Sequence, residues 1–226
     1  MNDVAVSLDA VLPPVAYADW SRPLDLAVPA GGLGLVEATA QRAADIVRLV
    51  AGVHAPRAGV VRVLGEVPPV GDRRGVQAFR RRLGVALLPG GLTSNLSLRM
   101  NVIVPLVYGG LADAGEAARR ADAALAACEV AHVGALRPAD VSLDLRQRAA
   151  LARAVAREPE LLLLEEPFGS IDQDDVPALL ETCRRAAGTV LVVTHTEDHV
   201  LRRHAGWHVE WENEQVQEFT GAFRVR

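Results

Sequence analysis

The stretch "LLLLEEPFGSID" at 161–172 sets two adjacent carboxylates, Glu165 and Glu166, directly after four leucines. Four leucines in a row read as a strand buried on both faces, and the carboxyl end of such a strand is where α/β sheets place ligands. Pro167 stops the strand there. Adjacent acids at a buried strand end repel each other, so packing alone does not call for them. A second place that could carry chemistry is "GLVEATAQRAADIVRLVAG" at 34–52, where a short apolar run ending at Val36 turns into an amphipathic helix. In many nucleotide-binding proteins such a corner holds a glycine-rich loop and a lysine. This corner has neither, and all 24 residues of the Lys+Arg total are arginine. Mechanisms that need a lysine are excluded.

The elements that position these residues come from a chain of 226 residues, half of them hydrophobic, which is enough to bury a sizeable core. No apolar run approaches the roughly 20 residues of a membrane-spanning helix. Asp3 stands where a signal peptide would carry basic residues, so export is not expected. Cys128 and Cys183 lack metal-site spacing and read as buried thiols in a reducing cytosol. The formal charge of -4 exerts no global pull on nucleic acid, and no nucleic-acid partner is expected. The basic clusters Arg73-Arg74 and Arg80-Arg81-Arg82 read as solvated surface, with a polyanion site as the alternative.

Alternation and flanking Gly and Pro residues predict strands at 4–8, 24–28, 32–38 and 59–65. Between the last two lies a helix over 40–51 with Ile46, Val47, Val50 and Ala51 on one face. Thr39 is its N-cap and Gly52 its C′ residue. A strand at 83–89 precedes a largely helical stretch from Leu98 to Arg157. Then follow a strand at 160–167, a helix near 174–187, a strand at 189–196, a short helix and two closing strands. This order predicts one α/β domain over 1–226 with a mostly parallel sheet and a helical insertion at about 91–158.

The segment 161–172 resembles the Walker B and D-loop region of ABC-transporter ATPases, and the resemblance extends over nearly the whole chain. "RQRAALARAVAREPELLLLEEP" is similar to the helix and strand that join that family's signature motif to Walker B. "TVLVVTHTEDHV" resembles the switch-histidine strand, with His195 in the switch position. "RRRLGVALLPGGLTSNLSLRMNV" resembles the Q-loop and the start of the helical subdomain, and "AGVHAPRAGVVRVLG" the stretch after the P-loop helix. The resemblance implies an ABC-ATPase-like core with a mostly parallel central sheet, an antiparallel β lobe and a helical subdomain.

Residue by residue, the resemblance sets Glu37, Ala40 and Arg42 at the three P-loop glycines, Ala43 at the lysine and Ala44 at the Mg²⁺-binding hydroxyl. Asp45 beside them suits a helix N-terminus instead of a phosphate. Leu88 falls at the Q-loop glutamine. Ser142 is kept in the signature motif, whereas Leu143 and Asp144 replace its glycines, Asp144 serving as a helix cap. Glu165 stands at the Walker B aspartate, a weak metal ligand one methylene longer. Glu166 matches the general base, His195 the switch residue and Asp172 the D-loop aspartate. The vestigial acid pair is expected to be satisfied by backbone or arginine contacts. Tyr17 or Trp20 falls near the place of an adenine-stacking aromatic.

From these substitutions the chain is expected to be a degenerate, non-catalytic subunit that docks on a membrane permease at the cytoplasmic face. It would pair with an intact second ATPase, bind no nucleotide on its own P-loop, and meet ATP and Mg²⁺ only through that partner. The stretch "GLTSNLSLRMNVIVPLVYGG" at 91–110 suits a groove for a permease helix. "NVIVPLVYGG" and "EEPF" resemble ATPases of lipid-transport systems that work with MCE-type proteins. The alternatives are an active ATPase with unusual ligands such as Arg42, Glu165 and Glu166, or a soluble regulator that kept the fold.

Overall fold

The computed structural model describes residues 4–14, 20–87, 91–212 and 215–220. The chain begins with β1 (Val4–Leu12), β2 (Leu24–Pro29) and β3 (Gly32–Ala38), followed by α1 (Ala40–Val50), β4 (Ala58–Val63), α2 (Arg73–Arg81) and β5 (Leu83–Ala86). Three helices come next, α3 (Leu98–Tyr108), α4 (Ala114–Ala127) and α5 (Leu143–Val155). The chain then runs through β6 (Leu161–Glu165), α6 (Val176–Ala186), β7 (Thr189–Thr194), α7 (His199–His204), β8 (Trp207–Glu212) and β9 (Gln215–Thr220).

Two sheets form. The larger has the order β5-β6-β7-β3-β8-β9, parallel except for β9, which runs back along β8. The smaller is antiparallel, β2-β1-β4. Their burial patterns explain the division. β2 alternates buried and exposed residues, as a strand with one covered face must, whereas β7 is buried throughout. The four leucines of β6 alternate between two cores. Leu162 and Leu164 face a cluster with α3, α4, α5 and α6, and Leu161 and Leu163 face α1 and the small sheet.

Local chemistry sets the helix ends. Gly52, at φ 62, closes α1: its N–H reaches the Leu49 carbonyl at 3.2 Å and the Val53 N–H the Arg48 carbonyl at 2.8 Å, a Schellman ending. Thr39 occupies the N-cap, but its side chain makes no capping hydrogen bond. Ser97, Asp113 and Ser142 do cap α3, α4 and α5 through their side-chain oxygens. Gly84 lets α5 approach β5: a Cβ there would lie 2.6 Å from the Ala154 carbonyl oxygen.

In the arginine cluster at 80–82, Arg80 and Arg81 are exposed, in keeping with a solvated surface, and all three also tie neighbouring segments together. Arg80 donates to the Ala51 and Gly52 carbonyls, Arg81 to that of Gly109, and Arg82 to Glu160 and Glu66. Arg73 and Arg74 are exposed, as a solvated surface requires. Cys128 and Cys183 are buried free thiols. Burial pushes both above the ordinary thiol value, Cys128 to about 12. Among the described residues no helix is long and apolar enough to cross a membrane.

Candidate functional site

The parallel register brings the residues of interest to one edge. Glu165 is level with Val193 across β6 and β7, and Glu37 is level with Thr194 on β7 and with Glu210 on β8. The carboxyl ends of four adjacent strands therefore meet there, as open α/β sheets arrange their ligand sites.

Glu166 follows β6 with φ 44, left-handed backbone that costs a non-glycine residue about 1–3 kcal/mol. Its surroundings hold it in that conformation. Its N–H donates to the Val193 carbonyl at 3.1 Å, and its own carbonyl accepts from Gln147 Nε2 at 3.4 Å. The carboxylate is 6% exposed and clamped by the "THT" of residues 194–196. Oε1 accepts from Thr194 Oγ1 at 2.7 Å, from the His195 backbone N–H, and from His195 Nδ1 at 2.6 Å. Among the described residues Oε2 accepts from Thr196 Oγ1 alone, at 3.3 Å. The backbone N–H of His195 contributes, as expected for this pair, and two threonine hydroxyls and an imidazole join it at Glu166. Glu165 ends β6 half-buried. Gln147 Oε1 accepts from the Ser170 N–H at 2.9 Å, so one buried amide ties α5 to the loop after Glu166. Asp172 lies on that loop and caps the Asp174 N–H at 3.0 Å.

The β3–α1 corner is arranged differently. Glu37, 7% exposed, accepts from Arg202 Nε at 2.8 Å and Nη2 at 2.7 Å, and from His208 Nε2 at 2.6 Å. Burial pushes its carboxyl up, but the His208 and Arg202 hydrogen bonds together prevail and hold it below the usual value of 4.5. Ala40 is exposed, Ala43 buried and Ala44 half-buried. Arg42 does not face the corner. It is buried, with its guanidinium 4.3 Å from the Trp211 ring centroid and Nη1 3.3 Å from the Trp211 carbonyl. Asp45 is the sixth residue of α1 and lies outside the first turn. It accepts from Gln41 Nε2 and Arg48 Nη1 instead of meeting the helix N-terminus.

Trp20 is fully buried against Trp211, edge to face at 4.8 Å, and so offers no stacking platform. Tyr17 and Leu88 lie outside the described residues. At the start of α5 Ser142 is the cap, Leu143 is 43% exposed and Asp144, in the first turn, pairs with Arg148 at 2.9 Å. The cap assigned to Asp144 thus belongs to Ser142, two residues earlier. Among the described residues Glu165, Glu166 and Asp172 share in no cluster of three donors close enough for a metal ion, and Ala44 brings no hydroxyl. The residues at the Mg²⁺ positions do not build a shell for that ion.

Sequence reading missed Thr194, Thr196, Gln147, Arg202 and His208. The hydroxyls flanking His195 were a usable signal, since both neighbours of a strand-end histidine can reach the same carboxylate. Nothing local ties Arg202 or His208 to Glu37, more than 160 positions away in the chain.

The ABC transporter family profile matches residues 45–169, more than half of the chain. The chain belongs to the ABC transporter family. Methionine import ATP-binding protein MetN 2 of Burkholderia mallei is 32% identical over 186 residues, which cover 80% of this chain and 46% of that protein. MetN of Caulobacter vibrioides is 31% identical over 195 residues, 82% of this chain and 58% of its own. The chain spans about half the length of the curated relatives it matches. Among solved structures, the ATP-binding cassette MJ0796, a dimer in a post-hydrolysis state with ADP and Pi, superposes with a TM-score of 0.83 at 20% identity. The match covers 95% of this chain and 98% of that one. The cbiO1 protein of Clostridium perfringens, described as part of the ABC transporter complex cbiONQ, gives 0.77 at 19% identity over 98% of this chain and 89% of its own. At these identities both speak for the ABC fold. The relatives overturn the expectation of a degenerate, non-catalytic subunit: over four fifths of this chain they are ABC proteins named for ATP binding. They are also named for methionine import, which gives no support to the lipid-transport assignment.

Proposed function

We propose that the chain is an ATP-binding and ATP-hydrolysing subunit of an ABC transporter, with nucleotide ligands that depart from the family's usual set. The observation that carries this reading is the clamped Glu166 carboxylate beside His195. Oε1 is saturated by three donors, while Oε2 has one long contact, so Oε2 is the oxygen placed to take a proton from water. The water oxygen then bonds to the γ-phosphorus as the bond to ADP breaks, and the proton rests on Glu166. His195, with its side chain 48% exposed, carries the far side of the carboxylate's hydrogen bond toward solvent. By the family's pattern, Ser142 at the start of α5 would meet a partner's nucleotide and Asp172 the partner's loop.

A membrane permease and a second ATP-binding subunit are the partners this reading requires, which puts the chain at the cytoplasmic face. A groove of about 350 Å³ supports permease docking, its lining shared between Val53, Val85 and Pro105 and the arginines Arg80, Arg153 and Arg157. The relatives' names point to import of an amino acid, methionine. Phosphate release by the chain assembled with its permease and partner tests the proposal. Turnover should fall by about 10²–10⁴-fold in Glu166→Gln. No turnover above a blank in the unmodified complex would end it.

A further inference from the structure

The corner at Glu37 holds a donor set of its own. Glu37 and Glu210 are register partners on the adjacent strands β3 and β8, and His208 lies two residues before Glu210 on the same face. One oxygen of each carboxylate and one imidazole nitrogen all lie within 4.8 Å of one another, with Glu37 and His208 buried and Glu210 half-buried. His208 Nε2 is 2.6 Å from Glu37 Oε2 and 3.8 Å from Glu210 Oε1. Like charges side by side on neighbouring strands are unfavourable without a cation between them.

One cation is already present. Arg202 Nη2 lies 2.7 Å from Glu37, 3.0 Å from Glu197 and 3.0 Å from Glu210. A single guanidinium thus serves three carboxylates, and with a neutral imidazole the group carries a net charge of about -2, which a dication cancels. The imidazole is held in place: His208 is 3% exposed, and its Nε2 is the nitrogen that enters this group. Phe219 stacks on the ring at 5.4 Å and fixes its plane.

We propose that Glu37, His208 and Glu210 bind a divalent transition-metal ion, of which Zn²⁺ is the best fit to one nitrogen and two oxygen donors. All three ligands stand on strands, which hold donors more precisely than loops. Arg202 is the competing cation: in the metal-free chain it occupies the centre of the carboxylates, and metal binding turns it outward toward Glu197.

Calorimetric titration of the metal-stripped full chain with ZnCl₂, with elemental analysis after dialysis, tests this. One ion per chain is expected. His208→Ala should weaken binding by at least ~100-fold and Glu210→Gln by about tenfold, while the exposed His199→Ala leaves it unchanged. Arg202→Met should tighten binding by about tenfold, because it removes the competitor. Circular dichroism identifies any variant that fails to fold, and Glu210→Gln, at the half-buried rim, keeps the test decisive if His208→Ala is one. No uptake by the unmodified chain, or uptake indifferent to both His208→Ala and Glu210→Gln, would overturn the proposal. Weaker binding in Arg202→Met would also count against it, since a purely ionic cluster loses its order with its only guanidinium.

Discussion

Glu166 is the residue whose geometry is most determined by its neighbours. A left-handed backbone without glycine persists only where other contacts over-determine it, and here the amide, the carbonyl and both carboxylate oxygens are all engaged. Thr194 supplies the shortest hydroxyl contact and is a positioning residue. Thr194→Val should lower kcat of the assembled transporter by about 10–100-fold with KM for ATP little changed, and Thr194→Ser should restore most of it. Steady-state kinetics on both variants checks this. Sequence reading assigned Glu166 and His195 separate roles through the family resemblance, and their contact became visible only where β6 and β7 end side by side. The direction of Arg42 was not legible in the sequence. Its motif position suggested an anion ligand, but a guanidinium next to Trp211 gains more from the ring face and a backbone carbonyl.

Among the elements, the strands and helices themselves were the readable part, since periodicity and capping are local. Gly52 at the end of α1 follows from a short sequence signal, whereas the cap of α5, read as Asp144, is Ser142. The start of α1 did not follow. Thr39 has the right type and place for a cap without making its hydrogen bond, and Asp45 lies too deep in the helix to serve the N-terminus. The close packing of α5 on β5 rests on Gly84, where the obstacle to a side chain is backbone. Gly84→Ala should therefore destabilise the fold by about 1–3 kcal/mol, measured by urea unfolding. Because Gln147 leaves the same helix for Glu166, displacement of α5 should also reach the carboxylate.

For the molecule as a whole, the strand order β5-β6-β7-β3-β8-β9 brings Glu166 and Glu37 to neighbouring places on one edge, which the linear sequence does not display. Sequence reading anticipated the ABC fold but inferred lost function from a substituted corner, whereas the relatives are named for ATP binding. The corner also binds distant parts together, joining β3, α7 and β8 through Arg202 and His208. Because Glu37 is held below 4.5 in the folded chain, its contribution to stability is complete above that value. It is lost as pH falls through the lower, folded value. Thermal unfolding between neutral pH and the region below 4.5 should show this loss in the unmodified chain, and Glu37→Gln should flatten that part of the profile.

Cys128 and Cys183 are both buried, and burial raises both thiols, so neither presents thiolate at neutral pH. The folded chain is consequently a blank for thiol-directed labels. A single cysteine placed on the rim of the groove or beside His195 would carry a fluorophore alone, and docking or closure could be followed without removing a native residue. The same two thiols, silent until the α4–α6 core opens, would then report unfolding on a separate time course.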